Sequence, residues 1–263
     1  MTTVHEVLKF LFELAPESMK EEWDHVGLQC GRLEAPVHRV LVALDPFQDV
    51  LEEAVEQGAE LIVAHHPLLF HPVYHVTDED AVGRVLLRAA ETGCAIISMH
   101  TNLDAAPGGV NDCLAQALGL EQVQVLSPAG TDGQGQTYGI GRVGTVPQTD
   151  LRTFAGKVKT ALGCGGVRIA DAGRPVRKVA VGGGACGEFT RNAWALGCDT
   201  FVTADLKYNG FYDGVDLGMN LIDAGHFPTE NLVCAYLQKQ LQLRFEALTV
   251  EISKRHRDVI AFL

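Results

Sequence analysis

With 263 residues, 47% of them hydrophobic and 21% charged, the chain has an ordinary globular composition and enough length for one large domain or two smaller ones. A formal charge of −12 leaves no Lys/Arg excess for a general nucleic-acid or anionic-membrane surface, so an anionic substrate would be held locally, by metal or by backbone N–H groups. No apolar run reaches the ~18 residues of a membrane span, and MTTVHEVLKFLFELAPESMKEEW lacks the basic start and cleavage site of a signal peptide, so the expected compartment is cytoplasmic.

Val40 to Leu44 is a continuous aliphatic run, the pattern of a buried strand. QDVLEEAVEQG follows, with Val50, Leu51, Ala54 and Val55 at helical spacing and Gly58 where a helix C-terminal glycine belongs. AELIVAHH is then a second strand, which completes a β-α-β unit. DEDAVGRVLLRAAETG predicts a helix closed by Gly93, CAIISMHTNLD a third strand with its exit loop, and PGGVNDCLAQALGL another helix. The Gly-rich stretch SPAGTDGQGQTYGIG places a boundary near Leu126, as a linker or a hairpin-like loop. Beyond it RKVAVGG, CDTFVTAD and MNLIDAG read as strands separated by helices, PTENLVCAYLQKQL as a helix, and RFEALTVEIS and DVIAFL as strands returning to a sheet. The expected fold class is α/β with largely parallel or mixed sheets. Two lobes are expected, 1–126, completed by the C-terminal segment, and 127–263. The seven cysteines are widely spaced with no CxxC pair, which favours reduced core thiols over disulfides or a thiolate zinc site.

One regularity points to a site. Gly58, Gly93, Gly197 and Gly218 are each followed by an apolar strand, and seven or eight residues after the glycine stands a polar residue: His65 and His66, His100, Asp205, His226. Open α/β sheets bind ligands at the carboxyl ends of their strands. Short polar residues also end strands for purely local reasons, which accounts well for Asp and poorly for His.

Adjacent residues of a regular strand point to opposite faces, so His65 and His66 are expected to address two different metal ions. Asp104, beyond the third strand, is the natural anionic ligand, with Asn102 and His100 on the same face if the chain stays extended. In GHFPTENL, Pro228 suits the first helical position, which brings His226 and Glu230 together at a strand-to-helix corner. Three imidazoles and two carboxylates suit zinc, iron, manganese or cobalt better than calcium or magnesium. The glycine-rich VGGGACGEF turn is open to two readings, a phosphate cradle or tight packing of turn against sheet.

The stretches HHPLLF, HTNLDAAPGGVND, TADLKYN and DAGHFPTEN, with WDHVGLQCG near the start, together resemble the GTP cyclohydrolase I type 2 homologue family, also called NGG-interacting-factor-three-like. The resemblance covers nearly the whole chain. It implies two α/β lobes facing a dinuclear metal site, with two divalent ions on His65, His66, Asp104, His226 and Glu230, and a toroidal homohexamer. It implies a metal-dependent hydrolase acting on a nucleotide such as GTP, with His100 a candidate proton shuttle or else a core histidine. A phosphoesterase or a non-enzymatic metal-binding scaffold is the alternative. The chain departs from the family pattern at Asp24-His25 and at Thr203-Ala204-Asp205 with Asn209, none of which is a proposed ligand. The interval from Leu126 to Lys178 is too short for the ferredoxin-like insertion that some members carry.

Overall fold

A computed structural model describes all 263 residues. The chain divides into two compact units, one built from Met1–Ala106 with Val233–Arg257 and the other from Pro107–Leu232 with Asp258–Leu263.

The first unit is organised on a five-stranded sheet in the order β1 (Gly27–Cys30), β4 (Ala95–Ser98), β3 (Leu61–Ala64), β2 (Arg39–Ala43), β11 (Thr249–Ile252). β1 runs antiparallel to β4, and the other neighbours are parallel. The runs LIVA of β3 and AIIS of β4 are buried at every position, as parallel strands covered on both faces require. Helices Gln48–Gln57 and Ala81–Thr92 make the crossovers and end at Gly58 (φ 68°) and Gly93 (φ 75°), the left-handed caps expected from the sequence. Leu41, Leu51, Ile62 and Ile96 lie wholly buried in the core beneath these helices. Each such side chain contributes roughly 1.5–3 kcal/mol by burial, so the strand tips stand on a stiff base.

The expected strand in RFEALTVEIS is β11, which joins the edge of this sheet beside β2. It is anchored by Glu53, a carboxylate only 4% exposed. Ser253 Oγ donates to that carboxylate, as do the backbone N–H groups of Lys254 and Arg255, each at 3.0 Å. These donors hold the carboxyl below its ordinary value, against the upward push of burial.

The second unit has a six-stranded mixed sheet, in the order β5 (Glu121–Thr131), β6 (Thr137–Thr149), β8 (Val176–Val181), β9 (Thr200–Thr203), β10 (Asn220–Asp223), β7 (Arg168–Ala170). β8, β9 and β10 are parallel, and the remaining pairs are antiparallel. Leu126, where the sequence placed a boundary, lies inside β5, and the Gly-rich stretch is the β5–β6 hairpin. Helix Leu151–Leu162, not identified from the sequence, starts at Asp150, whose Oδ1 accepts from Thr153 N at 2.9 Å.

The strand expected in DVIAFL does not form. Ile260 N donates to Asp258 Oδ1 at 2.9 Å, a local turn that competes with extension, and Phe262 packs over Gly165 and Gly166. All seven cysteines are free thiols, and burial pushes the Cys94 thiol up to about 12, as befits an inert core residue. No helix is long and apolar enough to cross a membrane.

Candidate metal centre

In the first unit the carboxyl ends of β2, β3 and β4 lead to Asp45, to His65 and His66, and to His100. β3 stops at Ala64, and His65 N and His66 N both donate toward β2, to Ala43 O at 3.3 Å and Leu44 O at 2.9 Å. A regular strand sends successive N–H groups to opposite neighbours, so the chain has twisted here. The two imidazoles therefore end up together, with ring centroids 4.9 Å apart and planes at 42°. The ladder ends at Ala64, before either histidine, so the strict alternation of faces expected of a regular strand does not apply to their rings.

His65, fully buried, donates from Nδ1 to Met99 O at 2.8 Å, which fixes the tautomer and leaves Nε2 as the ligating atom. His66 Nδ1 stands 2.7 Å from Asp45 Oδ1, and His100 Nδ1 stands 3.1 Å from Asp24 Oδ1. Metal-capable atoms of His65, His66 and His100 lie within 4.8 Å of one another. Asp104 Oδ1 is 3.6 Å from His65 Nε2. Asp104 reaches that position by a different route from the extended chain expected, because Thr101–Ala105 is a short helix. Its cause is the buried Asp24: Oδ2 accepts from Thr101 N at 3.1 Å and Thr101 Oγ1 at 2.5 Å, capping the helix from a distant loop. Burial pushes the Asp24 carboxyl up, but the hydrogen bonds from His100 and Thr101 outweigh it and hold the group well below the usual carboxylate range. Asn102 is spent on structure, its Nδ2 donating to Ala15 O at 2.7 Å.

In the second unit β10 runs into Gly225 (φ 84°) and the helix His226–Glu230. His226 is thus the first residue of the helix and Pro228 the third, not the first as expected. Proline is tolerated there because first-turn N–H groups have no helical acceptor. The result is an i,i+4 pair with His226 Nε2 3.0 Å from Glu230 Oε2. Asp205, at the end of β9 in a left-handed conformation (φ 54°), places Oδ2 2.6 Å from His226 Nδ1.

The first three glycines of the glycine-rich turn serve packing of turn against sheet. Gly182 N, Gly183 N and Gly184 N are already spent on Val202 O, Asn111 Oδ1 and Thr229 Oγ1, at 2.9, 3.0 and 3.0 Å. A Cβ on Gly184 (φ 64°) would stand 2.1 Å from Glu230 Oε1 and 3.1 Å from His226 Nε2. The turn is the wall against which the His226–Glu230 pair is set.

These side chains fit a metal on their own chemistry. His65, His66 and His226 each have Nδ1 hydrogen-bonded to a carbonyl or carboxylate, the arrangement that aims Nε2 and raises its basicity in metal sites, while His100 Nδ1 stands near the Asp24 carboxylate. Asp24, Asp45 and Asp205 are the orienting partners, and no such role was assigned to them from the sequence. Asp45 was legible in principle, since it too follows an apolar strand.

The family model described as Duf34/NIF3 (NGG1p interacting factor 3) matches residues 2–258. A protein of Streptomyces coelicolor named GTP cyclohydrolase 1 type 2 homolog is 37% identical over 262 residues, covering 97% of this chain and 88% of its own. One of the same name from Clostridium perfringens is 31% identical over 263 residues, covering 99% of each. Among solved structures, a Bacillus cereus protein related to NIF3 superposes with a TM-score of 0.93 at 27% identity, covering 100% of this chain and 99% of that one.

Proposed function

Because the chain belongs to the Duf34/NIF3 family, we propose that it is a metal-dependent hydrolase acting on a nucleotide such as GTP. In this reading two divalent first-row ions are held by His65, His66, Asp104, His226 and Glu230. The observation that carries it is the set of imidazoles whose Nδ1 atoms are all engaged, so that each offers Nε2. What the ions supply when bound is Lewis acidity and a water acid enough to attack at neutral pH.

The protein's own groups divide the remaining work. Asp45 and Asp205 keep the rings of His66 and His226 from rotating, and Gly184 leaves room for the Glu230 carboxylate. His100 takes up and returns a proton at Nε2, while ionised Asp24 at Nδ1 stabilises the imidazolium. With GTP the bond opened would be at C8 of the guanine ring, releasing formate. The assembly proposed is a homohexamer, tested by light scattering.

The test combines elemental analysis of the wild type and of His66→Ala with formate and phosphate release from GTP on metal-loaded protein. About two ions per wild-type chain, fewer in the variant, and formate release support the cyclohydrolase reading. Phosphate without formate moves it to a phosphoesterase. Metal with neither product favours the scaffold reading that the words NGG1p interacting factor suggest, and no metal after reloading overturns the proposal.

A further inference from the structure

The first unit carries two large aromatic side chains that folding leaves open to solvent beside the histidine cluster. Trp23 is 57% and Phe70 is 53% exposed. Their ring centroids are 5.7 Å apart with planes at 58°, so neither covers the face of the other. Both reach His100, at 6.0 Å from Trp23 and 6.2 Å from Phe70. Trp23 and Phe70 thus form an exposed aromatic surface that borders the His100 imidazole.

The surface is built rather than loose. Gln29 ties the two segments that carry it: Nε2 donates to His25 O at 3.0 Å, two residues after Trp23, and Oε1 accepts from Leu69 N at 3.1 Å, one residue before Phe70. On the other side of Trp23, Glu21 N donates to Thr101 Oγ1 at 3.0 Å and Lys20 Nζ donates to Asp24 O at 2.7 Å. The backbone of both aromatics is thus fixed while their rings face water, an arrangement that contributes little to folding and suits a flat ligand.

We propose that Trp23 and Phe70 are a stacking platform for a planar heteroaromatic ring, which they hold beside His100. The inference rests on the functional reading above for the identity of that ring as a purine, but not for its existence. Tilted aromatic rings accept the face of one ring and the edge of another, and stacking is indifferent to the ring's substituents. The platform therefore recognises the base and leaves a sugar or phosphate to other groups.

The chain has two tryptophans, so Trp194→Phe leaves Trp23 as the sole indole reporter. In that background guanosine is expected to quench and shift Trp23 emission saturably, and ribose 5-phosphate is expected to leave it unchanged. Phe70→Ala should weaken guanosine binding by about tenfold, and Phe70→Tyr should restore it, with metal content the same in all three proteins. Absence of quenching, equal response to ribose 5-phosphate, or undiminished binding in Phe70→Ala overturns the proposal. So does an emission shift that follows protein concentration in place of guanosine, since that would make the patch a self-association surface. Saturable quenching without GTP turnover leaves the platform standing and removes only the hydrolase reading. Turnover with an unchanged KM in Phe70→Ala does the reverse.

Discussion

Replacing Gly184 by alanine should separate the stability of the fold from the integrity of the candidate site. An alanine at φ 64° bears the left-handed backbone cost of roughly 1–2 kcal/mol, a Tm loss of about 2–8 °C for a chain of this size. Gly58→Ala isolates that cost, because Gly58 has φ 68° and no atom within 4 Å of its added Cβ. At position 184 the new methyl group would also lie 2.1 Å from Glu230 Oε1, where ordinary contact begins at 3.4 Å, so the carboxylate must retreat by about 1.3 Å (3.4 − 2.1). The backbone cannot yield instead: Gly184 N is bonded to Thr229 Oγ1, and Gly184 O accepts from Thr203 Oγ1 at 3.0 Å and Ala204 N at 2.9 Å. The displacement falls on Glu230, and the expected loss in metal affinity is about 10–100-fold, roughly 1.4–2.7 kcal/mol. Thermal melts of the metal-free proteins and calorimetric titration with zinc read the two effects. Similar melts for both variants with weakened zinc binding only in Gly184→Ala is the expected outcome. Zinc binding of wild-type strength in Gly184→Ala would refute the argument that the turn exists to make room for Glu230.

Asp45→Ala and Asp205→Ala should each weaken zinc binding by about 10–100-fold, through free rotation of His66 or His226, with melts of the metal-free protein little changed; unaltered titrations would remove the orienting role. Glu53→Gln should lower the Tm at pH 7 by weakening the charge-assisted bonds that anchor Ser253 to Arg255. Because the folded carboxyl lies below its ordinary value, that stability is present above about pH 4.5 and lost as pH falls through the folded value. The melting difference between wild type and variant should therefore shrink below pH 4.5, and a difference constant with pH would count against it.

The parallel core was legible because its signals are local. Aliphatic runs gave β2, β3 and β4, and Gly58 and Gly93 announced helix ends that a left-handed residue must close. The Gly-rich stretch was readable as a hairpin-like loop, but the long strands β5 and β6 on either side of it were hidden by their own construction. These strands carry Gly130, Gly139 and Gly141, which read as breakers, yet a Cβ at Gly139 would lie 2.1 Å from Ser127 O. Close backbone approach demanded glycine inside a strand, where propensity argues against one. At the site, residue types and the strand-end pattern were readable, whereas ring orientation was not. The twist after Ala64 and the capping of Thr101 by Asp24, 77 positions away, are tertiary events that no neighbouring residue signals.

The β11 strand has a consequence for how the protein is made. The first 106 residues of the chain emerge from the ribosome with β2 at the rim of an unfinished sheet, its outer N–H and C=O groups unsatisfied. They stay so until residues 249–252 have been synthesised, after the whole intervening segment of the second unit. A stalled or prematurely terminated chain would carry a bare aliphatic edge, RVLVA, suited to pairing with another nascent copy. Pulse-labelled fragments ending before Val233 should therefore be recovered with chaperones or in aggregates, and fragments extended through Ile252 in the soluble fraction.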